Sequence, residues 1–379
     1  MSTSLGELRL VQPSTVKEAV AARFEHPGSR FIAGGTDLIV NMRRGITRAD
    51  LLVDLSGIDE LTEITTDGLD VTIGAGVTLA ALARNSEIAG RYRALAQAAE
   101  AIAAPGHRVI GTVGGNLCLD TRCIYYNQSE WWRSAHAYCL KNRGDVCHVA
   151  PQGQRCHAAF AGDLAPALLV LGAEIDIAGA QGVRRIPLSE LYVEDGKAHL
   201  ALTDGELLVA LHLPLNPPPS GYAKVRLRGA IDFPLAGVAV ALAASGPSVN
   251  SLRIALTGTN SRPFLVAGTE PFAGRPIDEK LLHELDRLVQ KQVQPMRTTI
   301  ASANYRRVAA AALARRLVKR LFAEGAPGFR RAGRFLFYVV SKRSPTQLHY
   351  DVGITAVASS SIFAGVSRRS ATKIILMVG

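Results

Sequence analysis

The stretch SRFIAGGTDL, residues 29–38, places two consecutive glycines directly after a short apolar run. The apolar residues predict a buried strand, and the glycines allow the backbone to turn so that several N–H groups point into one concavity. Such a concavity suits a phosphate group, and Thr36 could add a hydroxyl donor. Asp37 would face a phosphate unfavourably, so we expect its carboxylate to accept hydrogen bonds from backbone N–H groups of the loop. Taken alone, the stretch also fits an ordinary tight turn between a strand and a helix.

A second glycine pair of the same kind lies about eighty residues further along the chain, in TVGGN, residues 112–116. The segment HRVIGTVGGN, residues 107–116, is predicted to be extended and to end in this glycine pair, so both glycine pairs would follow strands. Two phosphate-binding loops of this kind suggest a long dinucleotide that is held at two places. Neither loop matches G-x-G-x-x-G, so the sequence gives little support to a Rossmann fold.

The segments around these loops alternate between helical and extended patterns. A helix is predicted to start at Ser14 or Thr15, and LLVDL and LDVTIGAG are predicted strands. Helical spacing runs through ALARNSEIAGRYRALAQAAEAIA, and GDLAPALLVLGAEIDIAG predicts a helix followed by a strand. The run NPPPSG, residues 216–221, is a linker because three prolines cannot continue either structure. Antiparallel strands follow it, and residues 278–324 have a helical pattern.

Composition and charge exclude several classes of protein. The 379 residues suffice for two or three domains, and 48% hydrophobic with 20% charged residues is ordinary for a soluble protein. No apolar run is long enough to span a membrane, and the first residues lack the features of a signal peptide, so we expect a cytoplasmic protein with no membrane partner. The net charge of +11 is concentrated in residues 326–379, which carry +7. Since no basic stripe with stacking aromatics is present, we expect no nucleic-acid partner.

Residues 326–379 differ in character from the rest of the chain. This basic tail shows no sustained period and no capping signals. It is either an appended module or an unrelated C-terminus produced by a change of reading frame, and we assign it no function.

All five cysteines and both tryptophans lie within residues 118–156. Thiols stay reduced in the cytoplasm, so the cluster points to metal or redox chemistry rather than to disulfides. Four thiolates satisfy either one iron–sulfur cluster or one tetrahedral zinc ion, and the residues alone favour neither. The segment's histidines could replace a thiolate at zinc, although each is more typical of a solvated loop, and its aromatic residues would form an apolar shell. The histidines are His136, His148 and His157, and the aromatic residues are Tyr125, Tyr126, Trp131 and Trp132.

Four motifs occur here in the order found in one known family. AGGTDL, TVGGN, GDLAPALLVLGAEI and the strand containing Lys224 resemble the FAD-binding subunits of molybdenum hydroxylases, the flavoproteins of the xanthine dehydrogenase and carbon monoxide dehydrogenase group. The resemblance covers about residues 5–325. It implies an α+β fold with a two-part FAD-binding domain over residues 1–216 and a domain of antiparallel sheet plus helices over residues 222–325. The FAD-binding residues that it implies are Ala33, Gly34, Gly35, Thr36, Asp37 and Leu38 at the pyrophosphate, Thr112, Gly115, Asn116 and Asp163 around the rest of the cofactor, Ile102 and Leu208 beside the flavin ring, and Lys224 near it.

Residues 117–162 form an insert where most of that family has a short link. At this insert the chain resembles one branch, the flavin subunit of 4-hydroxybenzoyl-CoA reductase, which carries an additional [4Fe–4S] cluster there. The cluster ligands implied by this resemblance are Cys123, Cys139, Cys147 and Cys156. Cys118 precedes the four, close to the second glycine loop, and is expected to pack as an unligated thiol.

The resemblance implies an electron-transfer subunit of a larger enzyme. It implies partnership with a molybdopterin-binding large subunit and a [2Fe–2S] small subunit, because the chain has no cysteines left for those clusters. Electrons would pass from a low-potential donor such as ferredoxin through the [4Fe–4S] cluster and FAD to a molybdenum centre, where 4-hydroxybenzoyl-CoA is reduced to benzoyl-CoA. The alternatives are a flavin subunit of an ordinary hydroxylase with a zinc-binding insert, and a redox-sensing protein that is not an enzyme. Two phosphate-binding loops argue against the sensor.

Overall fold

The computed structural model describes residues 8–296 and 301–325, which form an α+β fold. The basic tail, residues 326–379, lies outside the described residues. No helix in the described ranges is both long and apolar enough to cross a bilayer. The strands are β1 (Arg9–Val11), β2 (Arg30–Ile32), β3 (Leu51–Asp54), β4 (Ile64–Thr66), β5 (Asp70–Gly74), β6 (Glu174–Gly179), β7 (Gly182–Pro187), β8 (Leu207–Pro214), β9 (Ser220–Val225), β10 (Ala236–Ser245), β11 (Ser248–Thr257) and β12 (Phe264–Leu265). The helices are α1 (Val16–Glu25), α2 (Leu38–Arg43), α3 (Leu79–Arg84), α4 (Ser86–Arg91), α5 (Arg93–Ala101), α6 (Pro105–Arg108), α7 (Val113–Leu117), α8 (Glu130–Ala135), α9 (Leu164–Leu171), α10 (Glu279–Gln292) and α11 (Ala303–Gly325).

A small parallel sheet carries the first glycine loop. Its strand order is β1-β3-β2, and β3 pairs in parallel with both neighbours. The strands predicted in SRFIAGG and LLVDL are therefore present. Helix α1 begins after Thr15, whose hydroxyl accepts a hydrogen bond from the Glu18 N–H at 3.2 Å, which confirms the predicted start. The glycine loop connects the end of β2 to the start of α2.

A five-stranded antiparallel sheet forms the second part of the N-terminal region. Its order is β4-β5-β8-β6-β7, so strands from both sides of the insert pair with each other. The predicted helical segment after β5 is helical but is broken into α3, α4 and α5. Asn85 causes the first break, because its side-chain oxygen accepts hydrogen bonds from the N–H groups of Glu87 and Ile88 and so starts a new helix.

The extended conformation predicted for residues 107–116 is wrong. Pro105 opens the short helix α6, and Thr112 is the N-cap of α7. The Thr112 hydroxyl accepts a hydrogen bond from the Gly115 N–H at 3.1 Å. A threonine cap outweighs the low helix propensity of glycine here, so the second glycine pair lies in the first turn of a helix.

A four-stranded antiparallel sheet, order β12-β11-β10-β9, and helices α10 and α11 follow. Strand β9 begins at Ser220, within the run that the sequence assigns to a linker. Helix α9, with all eight residues buried, packs against this sheet and against α5. Leu164 and Leu168 of α9 share one apolar core with Ala239 and Ala255 of the C-terminal sheet. Burial of each leucine contributes roughly 1.5–3 kcal/mol, so α9 joins the two parts of the chain.

Arg306 holds the first turns of α11 against the C-terminal sheet. The side chain is buried, with 3% of its surface exposed. Its guanidinium donates hydrogen bonds to the carbonyl oxygens of Leu235 (2.8 Å), Met296 (2.9 Å) and Gly258. Burial lowers the pKa of Arg306 to about 10, so the group stays charged at neutral pH. Three carbonyl groups therefore depend on one side chain for their partners.

We expect Arg306→Met to lower the free energy of unfolding by at least about 3 kcal/mol, because buried carbonyl groups without partners each cost about 1–3 kcal/mol. Lys319→Met on the same helix is the matched control. Its ion pair with Glu279 is exposed and screened by solvent, so the loss should be much smaller. Urea unfolding followed by circular dichroism measures both, and equal losses in the two variants would contradict the role given to Arg306.

Candidate functional site

The two glycine loops lie against each other. A Cβ atom added at Gly34 would overlap the carbonyl oxygen of Ile110 and lie 3.0 Å from the Gly111 nitrogen. Gly35 adopts a left-handed backbone with φ of +63°, where a side chain would be strained. Only glycine at residue 34 therefore allows the first loop to approach the segment that leads into α7.

A cavity of about 1230 Å³ opens between these loops. Eleven of the thirteen residues proposed to bind FAD line it, although they come from four separate parts of the sequence. Backbone N–H groups of the first glycine loop are suitable donors for anionic oxygens. The first N–H groups of α7 already donate to acceptors within the protein. The lining residues among those proposed are Ala33, Gly34, Gly35, Thr36, Asp37, Leu38, Ile102, Thr112, Gly115, Asn116 and Asp163.

Leu208 and Lys224 are the two proposed residues outside the cavity lining. Leu208 is buried in β8. The Lys224 Nζ lies 2.9 Å from the Asp163 carboxylate, and both side chains are 4% exposed. Burial lowers the pKa of Lys224, and the Asp163 charge opposes that change. The Tyr222 hydroxyl also donates to Asp163 at 2.5 Å, so Lys224 is connected to the cavity through a residue that lines it.

Asn116 connects the second glycine loop to α9. Its side-chain oxygen accepts a hydrogen bond at 3.1 Å from the N–H of Leu164, the first residue of α9. Asp163 is the N-cap residue of the same helix, but its carboxylate makes no cap hydrogen bond and instead pairs with Lys224. The start of the most buried helix is therefore fixed by the same loop that shapes the cavity.

The expected role of Asp37 is wrong. Its carboxylate makes no hydrogen bond to the backbone of the loop. It accepts a hydrogen bond from the Asn41 side chain at 2.9 Å and forms an ion pair with Arg122 in the insert. Asp37 has a helical backbone at the start of α2, and an unopposed cation on the insert attracts its carboxylate more than neutral amides do.

Sequence reasoning missed the rim of the cavity beside Ile102. Ala103 and Ile231 both have a left-handed backbone, with φ of 44° and 72°, and the Ile231 N–H donates to the Ala103 carbonyl oxygen at 3.2 Å. A β-branched residue with positive φ is a conformational outlier, and such strain concentrates at functional sites. Phe233, which also lines the cavity, packs beneath the Arg122 guanidinium at 4.8 Å. No local pattern identifies these residues, because they meet only in the folded chain.

The insert brings Cys123, Cys139, Cys147 and Cys156 into one region. Cys139, Cys147 and Cys156 are buried, and Cys123 is partly buried. The thiols of Cys147 and Cys139 each act to raise the pKa of Cys123, and those of Cys147 and Cys123 act to raise that of Cys156. In both cases burial is the larger cause, and the pKa of Cys156 reaches about 12. Cys123 is therefore close enough to each of the other three proposed ligands for their thiolate charges to repel, and Cys156 is close enough to Cys147.

Backbone N–H groups face two of these sulfurs. The backbone amides of Tyr125 and Tyr126 act to lower the pKa of Cys123, and the Ala158 amide donates a hydrogen bond to the Cys156 sulfur at 3.4 Å. These bonds favour the thiolate and oppose the effect of burial. Hydrogen bonds to sulfur are also a known influence on iron–sulfur clusters.

Cys118 has different surroundings from the other four cysteines. It lines the large cavity and packs against the main apolar core, and burial alone raises the pKa of its thiol to about 12. It follows α7 directly, at the C-cap of that helix. A neutral thiol in such a position behaves as a small apolar side chain.

The aromatic shell predicted around the cysteines is partly present. Tyr126 is buried and packs with Cys123, Cys139 and Ile46. Trp131 lies on the outer face of α8 with 77% of its surface exposed, so its expected place in the shell is wrong. The other two aromatic residues contact histidines: Trp132 stacks on His136 at 3.9 Å, and Tyr125 lies 5.4 Å from His148.

The side chains that could bind a metal ion do not meet around one point in the described ranges, residues 8–296 and 301–325. No three His, Cys, Asp or Glu side chains there lie close enough to bind a single metal ion. The histidines that could replace a thiolate have other contacts. Nδ1 of His136 lies 2.8 Å from the Trp132 carbonyl oxygen, and Nε2 of His148 lies 2.5 Å from that of Tyr138.

The cavity fits FAD by its size and by its glycine cradle. A Cβ at Gly34 would push the two loops apart, and one at Gly115 would lie 3.1 Å from the Thr112 hydroxyl oxygen. Residues 6–216 match the FAD-binding domain in molybdopterin dehydrogenase, and residues 221–321 match the C-terminal domain of carbon monoxide dehydrogenase flavoproteins. The chain belongs to the family of FAD-binding medium subunits of the molybdenum hydroxylases and is a flavoprotein.

Two characterised relatives show how far this similarity extends. The FAD-binding subunit of an aldehyde oxidoreductase from Escherichia coli (strain K12) is 33% identical over 275 residues, 68% of this chain and 83% of the relative. The carbon monoxide dehydrogenase medium chain of Afipia carboxidovorans is 28% identical, over 82% of this chain and 94% of that one. A crystal structure of a Cu,Mo carbon monoxide dehydrogenase matches with a TM-score of 0.70 and 26% identity, over 84% of this chain and 99% of the other.

We expect Gly34→Ala to lose most of its bound FAD, because the added methyl group would overlap the Ile110 carbonyl and separate the two loops. Gly90→Ala is the matched control, since a Cβ at that helical position meets open space. The ratio of flavin absorbance to protein after gel filtration measures retention. Full retention in Gly34→Ala would show that the two loops do not form the cofactor cradle.

Proposed function

We propose that the chain is the FAD- and [4Fe–4S]-containing electron-transfer subunit of an enzyme of the 4-hydroxybenzoyl-CoA reductase type. The observation that carries the proposal is the meeting of Cys123, Cys139, Cys147 and Cys156 within an insert that is attached to the FAD cavity. The family description names FAD alone. The cluster, the substrate and the electron donor therefore rest on the insert and on its resemblance to that branch.

The negative charge of four neighbouring thiolates explains why this group of cysteines requires a metal centre. Buried thiolates that repel one another are costly unless a cation cancels their charge. The pKa of Cys156 is raised to about 12, so without metal this thiol stays protonated at neutral pH. Iron within a cluster supplies the missing positive charge and also links segments of chain that share few apolar contacts.

Zinc and a [4Fe–4S] cluster place different demands on four cysteine ligands. Zinc draws four sulfurs to about 2.3 Å from one point. In a [4Fe–4S] cluster each cysteine binds a different iron, so the four sulfurs surround a larger object and need not converge. The absence of a converging set of donors in the described ranges is compatible with the second arrangement.

The backbone around Cys139 is strained in a way that suits a ligand loop. Ala137, Tyr138 and Arg143 all have left-handed backbones, with φ between 53° and 63°. The Cys139 carbonyl oxygen accepts hydrogen bonds from the N–H groups of Asn142 (2.7 Å) and Gly144 (3.0 Å). Such strain persists only where the surroundings impose it, and a metal–thiolate bond is one such restraint.

The insert is attached directly to the loop that carries the FAD cradle. Arg122 pairs with Asp37, and the buried Arg133 donates to the Gly45 carbonyl oxygen at 2.8 Å. When bound, FAD accepts electrons singly or in pairs, which suits it to a position between one-electron clusters. Partner subunits with molybdopterin and [2Fe–2S] clusters, and a low-potential donor of the ferredoxin type, complete the proposed chain of centres. A flavin subunit of an ordinary hydroxylase is also compatible with the family assignment.

Substitution of single cysteines tests the ligand assignment. Cys123→Ser, Cys139→Ser, Cys147→Ser and Cys156→Ser should each lose most of the iron, because a hydroxyl is a poor substitute for thiolate. Cys118→Ser is the matched control and should keep a full iron complement. Iron and acid-labile sulfide are measured after purification without oxygen. Loss of iron in Cys118→Ser together with its retention in Cys123→Ser would contradict the assignment.

The substrate class is tested with the assembled complex. The proposal predicts that 4-hydroxybenzoyl-CoA oxidises a reduced low-potential dye, consuming two electrons and two protons and releasing benzoyl-CoA and water. The same complex should not reduce NAD with xanthine or an aldehyde. Turnover of those substrates without any reaction of 4-hydroxybenzoyl-CoA would favour the ordinary hydroxylase instead.

A further inference from the structure

Lys141 is a buried cation in the insert. Its side chain is 5% exposed, and its Nζ lies 2.6 Å from the Asp120 carboxylate. The same ammonium group donates to the Gly196 carbonyl oxygen at 2.9 Å and to the Thr121 hydroxyl. It also lies 4.6 Å from the centre of the Tyr126 ring. A lysine enclosed to this degree needs all of these partners, because desolvation of an ammonium group is costly.

The partners of Lys141 are also the neighbours of Cys156. The Gly196 N–H donates to the Cys156 carbonyl oxygen at 2.9 Å, and the Asp195 carboxylate accepts from the Cys156 N–H at 3.1 Å. A Cβ at Gly196 would lie 2.7 Å from backbone atoms of Ala158, so the turn at residues 195–197 fits closely against the segment that carries Cys156. Lys141 and Cys156 are thus both hydrogen-bonded to the backbone of Gly196.

The same ion pair faces the FAD cavity. Lys141 and Asp120 both line it, and Asp120 is 32% exposed. Tyr126, beneath the ammonium group, packs against Cys123 and Cys139. The buried charge therefore lies between the cysteine group and the cavity, at the boundary of the two sites.

We propose that Lys141 is a positioning residue whose buried charge sets the reduction potential of the centre held by the insert, with Asp120 moderating that charge. The inference rests on the proposed function. A positive charge shielded from water favours the state that holds the additional electron, and local charge is one of the main influences on cluster potentials. Lys141 thereby makes the cluster beside the FAD cavity easier to reduce.

The test is a redox titration of the cluster in the full chain, purified without oxygen and monitored by its electron paramagnetic resonance signal. Lys141→Met should shift the midpoint potential to a more negative value, and Lys141→Arg should restore it towards the wild-type value. Asp120→Asn keeps a hydrogen-bond acceptor for Lys141 but removes the opposing charge, so its midpoint should shift in the positive direction. Lys319→Met is the control, because that cation lies on α11, outside the insert, with its side chain 50% exposed. Solvent screening should leave its midpoint close to wild type.

The outcomes separate this inference from the function on which it rests. If the wild-type chain binds no iron, both fail. If it binds the cluster but Lys141→Met and Asp120→Asn leave the midpoint unchanged, or shift it in the same direction, only the role of Lys141 is overturned. If Lys141→Met loses its iron and cannot be titrated, the midpoint potential of Asp120→Asn tests the role of Lys141. A positive shift supports that role, since a purely structural anchor would not give one, and no shift or a negative shift overturns it.

Discussion

The contact between the Gly34 backbone and the Ile110 carbonyl determines how the rest of the structure is arranged. It brings the end of a parallel strand against the start of a helix that lies about eighty residues later in the chain. The first loop continues into α2, whose Asp37 holds the insert through Arg122. The second loop continues into α7, whose Asn116 fixes the start of α9. Since α9 packs into both halves of the protein, one close backbone approach connects the cavity, the insert and the C-terminal sheet.

The middle of the insert is held mainly by charge. Its two ends are anchored in the main apolar core through Leu117, Leu119 and Phe160, whereas the apolar cluster between them is small and consists of Ile46, Tyr126, Cys139 and the partly buried Cys123. Arg122, Arg133 and Lys141 instead reach out of the insert to carbonyl and carboxylate oxygens of the surrounding chain. A segment of this kind buries too little apolar surface to offset its ordering entropy. A bound cluster would supply the missing stabilisation, which agrees with four cysteines at its centre.

The sequence predicted the features that depend on local chemistry. Paired glycines, a threonine cap and apolar runs predicted the first loop, α1 and most strands correctly, and the order of four motifs predicted the family. The predictions for residues 107–116 and for Asp37 failed, because Thr112 starts a helix and because the cation that pairs with Asp37 lies 85 residues away in sequence. Ile231, Phe233 and Lys141 could not be found at all. Each takes its place in the site only through contacts made in the folded chain.

The measurement that tests the central claim most directly is the content of iron, acid-labile sulfide and flavin in the wild-type chain, purified without oxygen. We predict about four irons and about four sulfides for each bound FAD, as one [4Fe–4S] cluster requires. Chain with a full complement of FAD but no iron and no sulfide would contradict it. One zinc ion in their place would also contradict it, and would favour a structural role for the insert.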